Sequence, residues 1–131
     1  MRKAVVVPVF ILLFLASLVA QQPAAPAQGG QQGHTEAMIK TAAIEVPRLI
    51  ELLELKPGMT IGDVGAGFGA WTTAFWKWTG ASGRVYSTDI GEKQLAFLRE
   101  TTKREGLTNV TVLAGAERST NLPANCCDAI L

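Results

Sequence analysis

Polar residues are nearly absent from the start of the chain and return later in a different rhythm. Val5 to Ala20 is apolar apart from Ser17, with Pro8 as its one breaker, and Arg2 and Lys3 precede it. A basic start before a short apolar run is the pattern of a secretory signal peptide or an uncleaved signal anchor. The run of roughly 16 residues is short of the ~20 that span a bilayer comfortably as a helix. It also lacks the polar face of a helix packed on a domain. Cleavage after Ala20 would put Leu18 at the third position back, whereas cleavage after Ala27 would put the small Ala25 there. Residues 1–20 therefore read as a signal peptide or membrane anchor, which implies an exported (periplasmic or secreted) or membrane-anchored protein. Residues 21–33, built of Gln, Pro, Ala and Gly, have no hydrophobic period and read as a flexible linker.

Regular patterns begin within residues 34–131. Ile44 to Leu55 predicts an amphipathic helix, with Ile44, Leu49, Leu52, Leu53 and Leu55 inward and Glu45, Arg48, Glu51 and Glu54 outward. Pro47 fits its first turn, where a missing N–H does no harm. Lys56-Pro57-Gly58 stops it. Met59 to Val64 predicts a strand, and Gly65 to Gly69 a glycine-rich turn. Ala70 to Thr79 predicts a second helix with Trp71, Phe75 and Trp78 on one face as core packing. Arg84 to Thr88 is a strand closed by Asp89. Glu92 to Glu105 is a third helix with Leu95 and Leu98 inward, ended by Gly106. Val110 to Leu113 is a third strand, and Asp128 to Leu131 starts a fourth. Strands alternating with helices imply right-handed crossovers and a parallel sheet. The fold class is α/β: a doubly wound, Rossmann-like parallel sheet with helices on both faces, stopping at the fourth strand. Such sheets bind ligands outside the carboxyl ends of their strands, where strand order reverses.

Charge and cysteine usage narrow the picture. Residues 1–20 hold two of the 12 Lys and Arg and none of the 11 Asp and Glu, which leaves the remainder at −1. No basic stripe suggests a nucleic-acid partner. Cys126 and Cys127 are adjacent, so they are not expected to form a loop-closing disulfide, and they read as two small apolar residues beside a strand. Metal ligation would need two more ligands, and lone His34 lies far away in sequence, so no metal site is expected.

The chemistry concentrates in Asp63-Val64-Gly65-Ala66-Gly67-Phe68-Gly69. Glycines there permit a tight turn and close approach of a ligand to bare backbone. The amides of the turn and of the following helix start are expected to face that ligand and favour a negative group. The spacing Gly65-x-Gly67-x-Gly69 differs from the G-x-G-x-x-G of dinucleotide sites. Asp63 would repel a pyrophosphate and suits a ligand bearing positive charge. Asp89 stands ~20 residues past the turn, where an acid that accepts ribose hydroxyls is expected. Ile90 after it suits a purine face.

Together with Lys56-Pro57-Gly58, Arg84 to Asp89, Gly106-Leu107-Thr108-Asn109-Val110 and Leu122-Pro123 followed by Cys127-Asp128-Ala129-Ile130-Leu131, this run resembles a class I S-adenosylmethionine-dependent methyltransferase over roughly Ile44 to Leu131. The resemblance implies S-adenosylmethionine as cofactor. Asp63, Gly65, Gly67 and Gly69, with Ala66 among them, would surround its methionine part, Asp89 its ribose, and Ile90 its adenine. Many family members place an acid just after the third strand to meet the adenine amino group. Here that position is Ala116; the resemblance leaves the role to Glu117, the next residue, or to a backbone group, and a solvent-exposed Glu117 without that role is the alternative.

The implied reaction is methyl transfer to an acceptor, a small molecule or another nucleophile, achieved mainly by holding donor and acceptor in line. The family's substrate contacts come largely from elements after the fourth strand, so no catalytic residue is named and the chain reads as the cofactor-binding half of such an enzyme. Two alternatives stand beside it: a non-catalytic cofactor-binding module of the same fold, and an NAD-dependent oxidoreductase. A membrane contact is expected only through residues 1–20.

Overall fold

The computed structural model describes residues 29–131, with the side chains of its first helix from Thr35 onward. The apolar run and most of the Gln/Pro/Ala/Gly segment lie outside the described residues. The elements are α1 (Gly29–Leu52), β1 (Thr60–Val64), α2 (Ala70–Thr79), β2 (Arg84–Asp89), α3 (Glu92–Arg104), β3 (Val110–Ala114) and β4 (Ala129–Ile130). The strands lie in the order β3-β2-β1-β4, with every pair parallel. That is the doubly wound, Rossmann-like arrangement the alternation of patterns predicts. The two crossovers β1–α2–β2 and β2–α3–β3 step in the same direction, so right-handedness places α2 and α3 on one face of the sheet. The chain then returns across the sheet to set β4 on the far side of β1, and strand order reverses there.

The core sits between the sheet and α2. Ile61 and Val85 are register partners in β1 and β2, and both are fully buried together with Phe75 of α2. Burial of each such side chain stabilises by about 1.5–3 kcal/mol. The aromatic stripe of α2 holds for Phe75 and for Trp71, which is half-buried against the same cluster. Trp78 departs from it: 40% exposed, it borders a cavity of about 620 Å³ between α1 and α3.

The first helix differs most from expectation. It begins at Gly29, inside the segment read as linker, and Pro47 lies in its interior instead of its first turn. Once later turns are packed, adding residues upstream gains one hydrogen bond each without a new nucleus. Ala43 and Pro47 are both exposed, so the bond the proline removes lies on the water side. The buried stripe is also out of phase with the predicted one. Ala42 and Val46 are buried, whereas Ile44, Leu52 and Leu53 are exposed. Ala42 shares the core cluster with Ala70 and Phe75, a close helix approach through small side chains that a hydrophobicity pattern does not register.

Two helix ends are closed by the same device. Leu55 N donates to Ile50 O at 2.9 Å and Glu54 N to Glu51 O at 3.3 Å, with Glu54 at φ 49°. Leu107 N donates to Thr102 O at 2.9 Å and Gly106 N to Lys103 O at 3.4 Å, with Gly106 at φ 65°. Both are Schellman ends with a buried leucine after the left-handed residue. Gly106 is where the sequence places it. At α1 the stop comes earlier than Lys56-Pro57-Gly58, on a non-glycine residue.

The opposite face of the sheet is met by the segment between β3 and β4. A Cβ on Gly62 would lie 3.3 Å from Leu122 Cδ1 and 3.5 Å from Cys127 Sγ, and Thr88 Oγ1 donates to Thr120 O at 2.8 Å. Among the described residues, the expectation of helices on both faces therefore holds for one face. The adjacent cysteines also depart from expectation: Cys126 and Cys127 are disulfide-bonded to each other, with Cα atoms 3.7 Å apart. Their place beside β4 is as read; the bond between them is the correction.

Candidate functional site

The reversal of strand order at β1 brings the glycine turn, the end of β2 and the end of β3 together. Gly65, Gly67 and Gly69 all adopt positive φ, at 74°, 55° and 82°. Two of them are required for different reasons. A Cβ on Gly69 would lie 2.7 Å from Leu98 Cδ2, so this glycine lets the turn close onto α3. A Cβ on Gly65 would meet nothing within 4 Å, so this glycine leaves open space at the end of β1.

The turn is tied to β2 through its own amides. Gly65 N and Ala66 N donate to Thr88 O at 2.8 and 3.0 Å, and Gly69 N donates to Ala66 O at 2.9 Å. Gly67 N donates to Asp89 Oδ2 at 2.8 Å. These four amides are not turned outward to favour a negative ligand, as the sequence suggested. The Thr88 carbonyl and the Asp89 carboxylate at the end of β2 satisfy the amides of Gly65, Ala66 and Gly67, and the Ala66 carbonyl within the turn satisfies that of Gly69.

Asp89 organises this end of the sheet. Its second oxygen, Oδ1, accepts from Gly91 N at 2.8 Å, and its backbone carbonyl accepts from Gly115 N at 2.9 Å. A carboxylate oxygen has two lone-pair sites, so each keeps acceptor capacity beyond the amide it holds. Asp89 is half-buried, and Ile90 beside it is 66% exposed, an apolar surface next to the carboxylate.

Asp63 lies deeper. It is buried, and its Oδ2 accepts from Thr72 Oγ1 at 2.6 Å. Thr72 Oγ1 also shares a hydrogen bond with Ser87 Oγ. The three side chains bridge β1, β2 and the first turn of α2. Burial holds the Asp63 carboxyl above its ordinary value; the hydroxyl and amide of Thr72 pull it down, and the nearby Asp89 charge pushes it up again. Asp63 thus locks the floor of the turn to α2. Sequence reasoning missed Thr72 and Ser87: hydroxyl residues on buried faces read as ordinary amphipathic filler until the elements are assembled.

Ala66 is buried within the turn and Gly67 is half-buried on its rim. Glu117 is exposed in a tight turn after β3, closed by Ala116 N to Ser119 O at 2.7 Å. Among the described residues, none of the hydrogen bonds that hold Asp89 involves Glu117. The cavity between α1 and α3 touches the turn through Phe68 and Gly69 but is lined by neither Asp63, Asp89 nor Ile90. The chemistry therefore points to the strand ends and not to that cavity. Among the described residues, no group of three His, Cys, Asp or Glu is placed to hold a metal.

A family model described as a methyltransferase domain matches residues 61–131. The ubiquinone/menaquinone biosynthesis C-methyltransferase of Burkholderia vietnamiensis is 36% identical over 64 residues, 49% of this chain and 26% of that protein. The catalytic subunit of the tRNA (adenine(58)-N(1))-methyltransferase of Yarrowia lipolytica is 32% identical over 62 residues, 47% of this chain and 16% of that protein. The chain spans about a quarter or less of these relatives. Among solved structures, a SAM-dependent methyltransferase from Aquifex aeolicus is 36% identical, with a TM-score of 0.60 over 64% of this chain and 45% of its own. A coclaurine N-methyltransferase bound to N-methylheliamine and SAH is 27% identical, with a TM-score of 0.57 over 72% of this chain and 26% of its own.

Proposed function

Since the chain belongs to the class I S-adenosylmethionine-dependent methyltransferase family, we propose that it binds S-adenosylmethionine at the carboxyl ends of β1 and β2 and serves methyl transfer from that site. The carrying observation is the pairing of open space above Gly65 with the free acceptor capacity of Asp89 beside it. These residues fit the group: Gly65 leaves room for the methionine part, Asp89 presents lone pairs to the ribose hydroxyls, and exposed Ile90 offers an apolar surface to adenine. Asp63 supports from below by fixing the turn to α2, and Gly67 and Gly69 set its path. When bound, S-adenosylmethionine supplies a methyl group on a sulfonium that is already a good leaving group. The protein's part is to orient it and to exclude water from it.

The acceptor is a small molecule or another nucleophile of a partner; the near balance of 12 Lys and Arg against 11 Asp and Glu supports an acceptor other than nucleic acid. Residues 1–20 direct the protein to a membrane, for export or as an anchor, and this rests on their sequence pattern alone. Calorimetric titration of the full chain with S-adenosylmethionine, S-adenosylhomocysteine and NAD tests the cofactor: binding of the first two is expected, and binding of NAD alone overturns the reading. Tight S-adenosylhomocysteine binding without methylated product in any acceptor screen would favour a non-catalytic binding module.

A further inference from the structure

We propose that Cys126 and Cys127 form a reversible thiol–disulfide centre that latches β4 against β1 and so controls the order of the strand end beneath the glycine turn. A disulfide usually stabilises by closing a long loop in the unfolded chain. This one joins neighbouring residues and removes almost no such freedom, so its effect on global stability is small. Its consequences are local, and its location makes them specific.

The pair sits in the turn that delivers the chain to β4. Asn125, immediately before it, adopts φ 55°, and Cys126 N donates to Pro123 O at 3.3 Å. Immediately after it, Asp128 grips the start of β1 twice: Thr60 N donates to Asp128 Oδ2 at 2.7 Å, and Asp128 N donates to Thr60 O at 2.8 Å. Cys127 Sγ lies against the bare backbone of Gly62, 3.5 Å from where a Cβ would stand. β4 then pairs with β1 through Ile61 opposite Ala129 and Gly62 opposite Ile130. The ladder ends with Leu131 N donating to Gly62 O at 2.9 Å and Val64 N to Leu131 O at 3.0 Å. Val64 is the residue before Gly65. The backbone that the disulfide constrains thus sets β4 against β1, and Leu131 is tied to the residue that precedes the turn.

Both cysteines are half-buried, neither sealed in the core nor fully open. A thiolate of a small-molecule or protein dithiol attacks one sulfur and forms a mixed disulfide; the second thiol of the reductant then resolves it. The Cys126–Cys127 bond breaks, two electrons and two protons pass to the pair, and the reductant leaves as its own disulfide. With the ring open, both side chains regain rotamer freedom, and the contact of Cys127 with Gly62 is no longer enforced. β4 then opens more often, because the backbone that enters it has lost that constraint.

The test uses the full chain with dithiothreitol as reductant, and iodoacetamide with intact-mass measurement to count free thiols. The protein as purified in air is expected to take no label, and the reduced protein two. Hydrogen exchange read by mass spectrometry is expected to speed up about tenfold or more over residues 126–131 and 62–65 on reduction, with β2 and β3 unchanged. A Cys126→Ser, Cys127→Ser variant is expected to exchange like the reduced protein and to ignore dithiothreitol. Two labels without reductant, or identical exchange in the two states, would overturn the proposal. The link to function rests on the cofactor reading above: S-adenosylhomocysteine affinity is expected to fall several-fold on reduction. Absence of binding in both states sinks that reading and leaves the latch to be judged by exchange; equal binding in both states with different exchange overturns the control of the turn.

Discussion

Gly67 N donates to Asp89 Oδ2 at 2.8 Å across 22 residues of chain. With Gly91 N on the other oxygen at 2.8 Å, the carboxylate clamps the glycine turn to the end of β2 while it remains free to accept further bonds. One residue thereby shapes the site and meets the ligand, so its substitution acts on both.

Asp89→Ala is expected to weaken S-adenosylhomocysteine binding by roughly 1.5–3 kcal/mol, the range for hydrogen bonds to a charged group. Asp89→Asn is expected not to rescue it. An amide side chain has one acceptor end and one donor end, so either Gly67 or Gly91 would face a donor. Calorimetry on both variants checks this; wild-type affinity in either removes Asp89 from the site.

Gly65 and Gly69 separate fold from function. Gly69→Ala forces a Cβ to within 2.7 Å of the buried Leu98 at φ 82°, and a stability loss of about 2–4 kcal/mol is expected from strain and overpacking together. Gly65→Ala meets open space and should cost only about 1–2 kcal/mol for the left-handed backbone. Its methyl group nevertheless stands where the cofactor is proposed to lie, so binding is expected to fall by more than stability does. Thermal unfolding beside S-adenosylhomocysteine titration reads the contrast; similar effects from the two substitutions would contradict the assignment of open space to the ligand.

Asp63 makes a pH prediction. Burial holds its folded carboxyl above the ordinary 3.8, so the unfolded chain loses this proton at a lower pH than the folded chain does. Its contribution to stability is complete below the ordinary value, declines as pH rises from there to the folded value, and is constant beyond it. Asp63→Asn abolishes that decline. The variant is therefore expected to gain on the parent as pH rises through that window, with Thr72 able to donate to the amide oxygen. Urea unfolding of both proteins from about pH 3 to about pH 7 measures the difference, and a difference that does not change with pH would contradict a raised carboxyl.

For the N-terminus, fusion of residues 1–20 to a reporter that is active only after export is expected to give signal in membrane or exported fractions. A silent reporter confined to the cytosolic fraction would require another account of the apolar run.

The sequence alone determined the alternation of strands and helices, their approximate limits from Thr60 onward, and the positions of Asp63, the three glycines and Asp89. Those features are local: apolar period, glycine spacing and the acid at a strand end are written in neighbouring residues. Tertiary structure alone decided the rest. The phase and start of α1 depend on how closely Ala42 can approach α2, and small side chains carry no hydrophobic signal. The inward turn of the loop amides depends on the carbonyl of Thr88 and the carboxylate of Asp89 arriving from another strand. The burial of Asp63 against Thr72 exists only once α2 is laid on the sheet, because a carboxyl gains its partners and its raised proton affinity from elements the chain brings together by folding.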